Sequence, residues 1–153
     1  MFYHALTGNG GDTPEPIVDN RTFIIKDGVV QDGFELKTNE ATTTYDSQLG
    51  MLKVHFTGTN NAAVYFIVDL TNYNKICRLT KNLTDGNGSW NSTARYTVIS
   101  DNVLNTTDTT QLKLESEFAN VEGLSGNKYI NIVSYAGNAN GDYDYYIKDL
   151  WLE

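Results

Sequence analysis

Residues 62–70 read AAVYFIVDL, a stretch in which the aspartate is the only charged residue. A short run that is apolar on both faces predicts a central β-strand that is buried from two sides. Apolar and polar residues alternate in two other stretches, MLKVHFT at 51–57 and QLKLESEF at 111–118. A period of two predicts half-buried strands. These three stretches together indicate a protein built from β-sheets.

The rest of the chain extends this pattern. Asp27-Gly28, between the apolar runs TFIIK and VVQD, is a dipeptide that favours a two-residue hairpin turn. The Thr-rich segment 38–48, by contrast, is predicted to be a loop around Tyr45. Seventeen Asn, eighteen Thr and thirteen Gly favour strands and turns over helices. Short apolar runs predict further strands at 76–79, 95–100, 129–135 and 143–152.

The prediction is an all-β fold, a two-sheet antiparallel β-sandwich or jelly roll of about nine or ten short strands without significant helix. An up-and-down barrel is the alternative, but the uneven loop lengths favour the sandwich. The length of 153 residues fits one domain. Residues 1–16, rich in Gly and ending in spaced prolines, are predicted to be an N-terminal arm or linker, and residues 17–153 the sandwich domain. The arm is interpreted either as a frayed terminus or as a strand that pairs with a neighbouring chain.

Composition excludes several classes of function. A net charge of −8 and a pI near 4.6 argue against nucleic-acid binding, which depends on Lys and Arg. No apolar run approaches the roughly 20 residues that cross a bilayer, so membrane insertion is not expected. The start of the chain lacks a basic segment and predicts no secretory signal peptide, hence synthesis in the cytoplasm. The single cysteine, Cys77, can form neither an internal disulfide nor a thiolate metal site alone.

Catalytic patterns are also missing from the sequence. The two histidines are His4, in the predicted arm, and His55, which alternates with apolar residues in a predicted strand. No nucleophile elbow, zinc-protease motif or phosphate-binding loop occurs. A carboxylate pair for glycoside hydrolysis stays open, because any two of nineteen acids could meet in space. We therefore expect a protein that is not an enzyme and that requires no cofactor.

Two acidic regions are candidates for a structural calcium ion. Segment 138–144, NANGDYD, places Asn or Asp at every second position, including Asp142 and Asp144. Calcium prefers such oxygen ligands, although a polar hairpin turn explains the same residues. Asp149 lies in the predicted last strand, on the same side as Ile147 and Trp151. An acid on that face needs a cation, a backbone amide or the rim of the sheet as its partner.

Aromatic residues provide the candidate ligand-binding site. Trp90 lies in the polar segment 82–93 between Asn87 and Asn91, either packed against one end of the sandwich or presented to a ligand. Sugar rings have a flat apolar C–H face that stacks on such rings, and amide side chains can satisfy the hydroxyls. Most tyrosines are equally well explained as residues that cap the sheets with their hydroxyls in water. Four of them could nevertheless join Trp90 if their loops meet: Tyr45, Tyr96, Tyr143 and Tyr145.

Three segments resemble known families. VDLTNYNKI at 68–76 is similar to a stretch found in jelly-roll modules of bacteriophage tail and other virion proteins. YYIKDLWLE at 145–153 resembles the last strand of galactose-binding-like, carbohydrate-binding-module domains. FYHALTGNGG at 2–11 looks like the Gly-rich start of phage structural proteins.

The resemblance implies a β-sandwich that often carries structural calcium and binds saccharide. Phage modules of this kind are often multimeric, lie on the virion and are released by lysis. The hypothesis is a non-catalytic adhesion module of a phage tail or virion-surface protein that recognises cell-surface polysaccharide. The alternative is a purely structural virion protein without a sugar site. Its aromatic surface and N-terminal arm would then contact further copies in a homo-oligomer or other virion proteins.

Overall fold

The computed structural model describes residues 19–57, 62–82, 96–101, 112–114, 118–133 and 143–153. Within these ranges the chain forms twelve β-strands and no helix, and hence no helix that could cross a membrane. The all-β prediction is confirmed. The predicted N-terminal arm lies outside the described residues. The strands are β1 (Thr22–Lys26), β2 (Val29–Val30), β3 (Lys37–Asn39), β4 (Ala41–Asp46), β5 (Met51–Phe56), β6 (Ala63–Asp69), β7 (Lys75–Asn82), β8 (Tyr96–Ser100), β9 (Leu112–Leu114), β10 (Phe118–Asn120), β11 (Asn127–Val133) and β12 (Tyr143–Leu152).

The strands form two antiparallel sheets that pack as a β-sandwich. The five-stranded sheet has the order β3-β6-β11-β8-β9. The seven-stranded sheet is organised around β12, which pairs with β7 along one edge. Along its other edge β12 pairs first with β5 and then with β1. The sheet is extended by β4 from β5, by β2 from β1 and by β10 from β7.

The core lies between the sheets and is built from one face of each. In β6, Val64, Phe66 and Val68 are buried and oppose Ile132, Ile130 and Lys128 of β11. The prediction of a central strand at 62–70 is confirmed in position, since β6 lies between β3 and β11. Its two-sided burial is only partial, however. The alternate face of β6 carries an exposed Ile67 and a half-buried tyrosine, which becomes important for the site.

Segment 41–46, inside the predicted loop at 38–48, is instead strand β4. Thr42, Thr43 and Thr44 pair with His55, Val54 and Lys53 of β5. Only Ala41 of this strand is buried, so no alternation of apolar residues marks it in the sequence. β-branched threonines fit a pleated surface that faces solvent on one side, which explains why the segment forms a strand nonetheless.

The hairpin predicted at Asp27-Gly28 is confirmed. Lys26 pairs with Val29 across a turn in which φ is +48° at Asp27 and +77° at Gly28, as a two-residue type I′ turn requires. A Cβ atom at Gly28 would lie 2.5 Å from the backbone carbonyl carbon of Met51. Glycine is therefore required here both by the backbone conformation and by the close approach of β5.

Neighbouring residues of β7 face opposite sides of their sheet. Arg78 is buried between the sheets, where its guanidinium donates a 3.1 Å hydrogen bond to the Thr97 hydroxyl of β8. Cys77 points away from this core and is almost fully buried too. Burial raises the pKa of the Cys77 thiol, which makes it less reactive.

Candidate functional site

Two tyrosines stack on the outer face of the five-stranded sheet. The rings of Tyr65 on β6 and Tyr129 on β11 have centroids 5.7 Å apart and planes inclined by 27°. Tyr129 lies opposite Ile67, whose side chain is 41% exposed, and Tyr65 lies opposite Asn131. We call this surface, defined by Tyr65, Ile67, Tyr129 and Asn131, the tyrosine face. It combines aromatic rings with exposed apolar area on rigid central strands.

Polar groups at the edges of the tyrosine face are held in place. Lys37 of β3 lies opposite Tyr65 and forms a 3.2 Å ion pair with Glu35. At the end of β6, the Asp69 carboxylate accepts hydrogen bonds from the amide and the hydroxyl of Thr71, at 3.0 and 2.5 Å. Both bonds hold the pKa of Asp69 below its usual range, and the bond from the Thr71 hydroxyl has the larger effect. A charged carboxylate of fixed orientation therefore borders the tyrosines.

Asn131 closes one end of the tyrosine face. Its side chain is fully buried although it points away from the core, and its Nδ2 donates to the Val98 carbonyl and the Ser100 hydroxyl, both at 3.1 Å. A carbonyl can only accept, so this contact fixes the orientation of the amide. Within the described residues Asn131 Oδ1 accepts no hydrogen bond. The solvent-accessible part of the face is thus the area around Tyr65, Ile67 and Tyr129.

Most residues predicted for the aromatic site cannot be assigned to the tyrosine face. Trp90, Asn87 and Asn91 lie outside the described residues. Tyr96 and Tyr143 are placed through their backbones alone: Tyr96 pairs with Val133 of the five-stranded sheet, and Tyr143 pairs with Phe56 of the other. Their part in a sugar site therefore stays a prediction.

The prediction is wrong for Tyr145. Its side chain is fully buried in the core between the sheets, so it has no ring face that a sugar could reach. Strand β12 lies at the centre of its sheet and needs large apolar side chains on its inner face. Tyr45 is 54% exposed, as predicted for a ligand-binding residue, but it lies on β4 in the seven-stranded sheet. The two tyrosines are therefore not parts of one platform with Tyr65 and Tyr129.

The acids predicted to bind calcium have protein partners where the structure describes them. The Asp144 carboxylate lies 2.9 Å from His55 Nδ1 and forms a 3.2 Å ion pair with Lys53. His55 and Lys53 are both on β5. Among the described residues, no group of three or more His, Cys, Asp or Glu side chains could hold a metal ion. Asp142 lies outside these residues, so a structural calcium ion at the 138–144 segment remains a prediction.

Asp149 contacts a backbone amide, one of the partners considered for it. Its carboxylate accepts a 2.8 Å hydrogen bond from the Asp27 amide. The prediction that Asp149 shares a face with both Ile147 and Trp151 is wrong, because the register shifts between Ile147 and Asp149. This bulge leaves Ile147 in the core and half-exposed Trp151 on the opposite, outer face.

Comparison with solved structures identifies the same fold in carbohydrate-binding modules of family 29. A mutant of one such module has a TM-score of 0.54 at 13% identity, covering 87% of this chain and 90% of that chain. A CBM29-2 mutant complexed with cellulohexaose has a TM-score of 0.52 at 13% identity, covering 87% and 89%. A further family 29 module has a TM-score of 0.52 at 13% identity, covering 87% of both chains. At this identity the similarity is one of fold.

No protein-family model matches the chain. A search of curated proteins likewise gives no match. The jelly-roll β-sandwich is therefore recognised through its three-dimensional structure, and the assignment of a ligand depends on the surface chemistry described above.

Proposed function

We propose that the protein is a non-catalytic carbohydrate-binding module whose tyrosine face binds polysaccharide. The observation that carries the proposal is the stacked pair Tyr65–Tyr129 beside exposed Ile67. Half-exposed aromatic rings offer apolar planes to the C–H faces of sugars, while their hydroxyls can bond to sugar hydroxyls. Both rings lie on strands in the middle of the sheet, so binding would require little rearrangement.

The similarity of fold to solved carbohydrate-binding modules also supports the proposal. One of the solved modules that share it is complexed with cellulohexaose, a linear oligosaccharide. Sheet faces of the kind formed here can accommodate a linear chain of sugars along the strands. Since a fold alone does not define a ligand, the class of polysaccharide must be tested directly.

The more specific proposal is an adhesion module of a phage tail or virion-surface protein that recognises cell-surface polysaccharide. It is supported by the resemblance of segments 68–76 and 2–11 to phage virion proteins and of segment 145–153 to carbohydrate-binding-module domains. The protein would then act on the virion or outside the cell after lysis.

The experiment is binding of the purified protein to cellohexaose, soluble polysaccharides and intact bacterial cells, by calorimetry and cell pull-down. Tyr65→Ala and Tyr129→Ala should each lower the affinity by about tenfold or more. Tyr45→Ala is the matched control, because it removes an exposed tyrosine from the other sheet and should leave the affinity unchanged. Trp90→Ala, measured alongside, tests the site predicted from sequence.

The outcomes separate the possibilities. Loss of binding in the Tyr65 and Tyr129 variants, with unchanged melting temperatures, supports the tyrosine face. Loss in Trp90→Ala alone moves the site to the 82–93 segment. Absence of binding to every glycan and cell contradicts the proposal and favours the structural virion protein. In that case light scattering should show an oligomer that dissociates when residues 1–16 are deleted.

A further inference from the structure

A second aromatic surface lies on the opposite side of the sandwich. Phe118 of β10 pairs with Cys77 of β7, Cys77 pairs with Trp151 of β12, and Trp151 pairs with Phe23 of β1. Directly opposed residues point to the same face of a sheet. Phe118, Trp151 and Phe23 therefore form a row across four strands, which we call the aromatic row.

The aromatic row is accessible to a ligand. Phe118 is 48% exposed, and Trp151 and Phe23 are both half-buried. The Phe23 and Trp151 ring centroids are 5.9 Å apart, with planes inclined by 38°. Phe118 lies two strands from Trp151, a separation of about 10 Å at the usual strand spacing. Ring planes thus recur along a line that a linear polymer could follow.

Cations lie over both ends of the row. Lys26 Nζ is 4.9 Å from the Phe23 centroid, and Lys75 Nζ is 5.1 Å from the Phe118 centroid. The Arg21 guanidinium, 4.9 Å from the Phe23 centroid, is neutralised by a bidentate pair with Asp19 at 2.9 Å. Neither lysine forms an ion pair with any carboxylate in the described part of the chain.

This distribution of charge differs from that of the whole molecule. The chain has a net charge of −8, and four other lysines are paired with acids: Lys37, Lys53, Lys128 and Lys148. At physiological ionic strength, charges farther away than about 8 Å are largely screened. Within the row itself, Asp19 is paired with Arg21 and Glu153 Oε1 accepts from Trp151 Nε1, so an anion would be attracted at the ends of the row, where Lys26 and Lys75 lie.

We propose that the aromatic row, with Lys26 and Lys75, is a second ligand surface that binds a polysaccharide carrying carboxylate groups. The rings would stack on the sugars while the two ammonium groups pair with carboxylates toward either end. The Glu153 carboxylate accepts a 3.1 Å hydrogen bond from Trp151 Nε1 and is negative, so the carboxylates of the ligand would lie at the two ends of the row rather than beside the indole. This surface is distinct from the tyrosine face and does not depend on the function proposed for it.

The experiment uses polygalacturonate and alginate as probes, with methyl-esterified polygalacturonate as the neutral counterpart. Affinity electrophoresis and calorimetry should detect binding to a polyuronate that is about tenfold or more weaker for the methyl ester. Binding should also weaken between about 0.15 M and about 0.5 M NaCl, because salt screens the lysines. In a Trp90→Phe background, Trp151 is the remaining tryptophan, so its fluorescence should change on binding.

The double variant Lys26→Gln/Lys75→Gln should lower the affinity for the polyuronate by about tenfold or more. Lys128→Gln is the control, since it also removes a lysine but lies in the five-stranded sheet, paired with Asp101 at 2.5 Å. Glutamine keeps two of the four methylene groups of lysine and a polar end, so neither variant should disturb folding.

Three results would overturn the inference: no binding to either polyuronate, equal binding to the methyl ester, or equal effects of the double variant and Lys128→Gln. A loss of polyuronate binding in Tyr65→Ala or Tyr129→Ala would also overturn it, by assigning the ligand to the tyrosine face. Conversely, failure of cellohexaose to bind would contradict the function proposed for the tyrosine face but not the inference about the aromatic row. The two proposals can thus fail separately.

Discussion

The amide of Asp27 donates a 2.8 Å hydrogen bond to the carboxylate of Asp149, 122 residues further along the chain. Two more contacts join the same elements: the Gly28 amide donates to the Lys148 carbonyl at 2.8 Å, and Lys148 Nζ donates to the Asp27 carboxylate at 2.7 Å. The turn between β1 and β2 is thereby fixed to the bulge in β12. These contacts join the first and last described strands of the sandwich.

Replacing Asp149 tests whether it has this structural role. Asp149→Ala should destabilise the fold by about 1 kcal/mol, because the Asp27 amide loses its acceptor at a partly exposed site. Asp149→Asn retains a side-chain oxygen and should cost less. Urea unfolding with and without EDTA is the measurement. If the stability difference between wild type and Asp149→Ala were larger with calcium and disappeared in EDTA, Asp149 would instead be a calcium ligand.

Gly28 is predicted to be the most sensitive glycine among those with positive φ. Gly28→Ala should destabilise by about 3 kcal/mol, since the new Cβ meets the backbone of Met51 in a strained conformation. Gly33→Ala is the matched control: φ is +92° there, but nothing lies within 4 Å of the added atom. It should cost only about 1 kcal/mol, from backbone strain alone. Equal losses in urea unfolding would show that the approach of β5 does not matter.

The ion pair between Asp27 and Lys148 should make stability depend on pH at the acid end. The hydrogen bond from Lys148 holds the pKa of Asp27 below its usual 3.8. A carboxyl whose pKa is lowered by folding stabilises the protein above its unfolded pKa, and this contribution disappears as pH falls through the folded value. Wild type should therefore be more stable than Asp27→Asn near neutral pH, and the difference should shrink as the pH falls below 3.8 and disappear in stronger acid. A difference that persists unchanged in acid would argue against the pair.

The sequence predicted the sandwich because its strands carry local signals. The Asp27-Gly28 turn and the alternation at 51–57 depend on neighbouring residues, and both are confirmed. β4 was not predicted because Thr42 and Thr44 are exposed and the strand has no alternation of apolar residues. The bulge at Ile147/Asp149 changes which residues share a face, and a simple period of two cannot reveal such a shift.

The candidate site was harder to predict than the fold. Tyr65 and Tyr129 come together only because β6 and β11 are neighbours, which no local pattern shows. The one available signal was the polar hydroxyl of Tyr65 within an apolar run, and the interpretation of two-sided burial obscured it. The aromatic row likewise joins residues from both ends of the chain through strand register. Surface sites of this kind depend on sheet order, whereas strand formation depends on nearby sequence.

Tyr145 and Tyr45 provide a direct comparison between a core tyrosine and a surface tyrosine. Tyr145→Ala should destabilise by about 3–5 kcal/mol, because it removes a fully buried ring from the centre of the seven-stranded sheet. Tyr45→Ala removes a ring that is 54% exposed and should change stability by no more than about 0.5 kcal/mol. Thermal unfolding of both variants is the measurement, with cellohexaose binding as the second readout. If Tyr145→Ala remained fully stable yet lost sugar binding, Tyr145 would be a ligand-binding residue after all, and β12 would have to present its inner face to solvent.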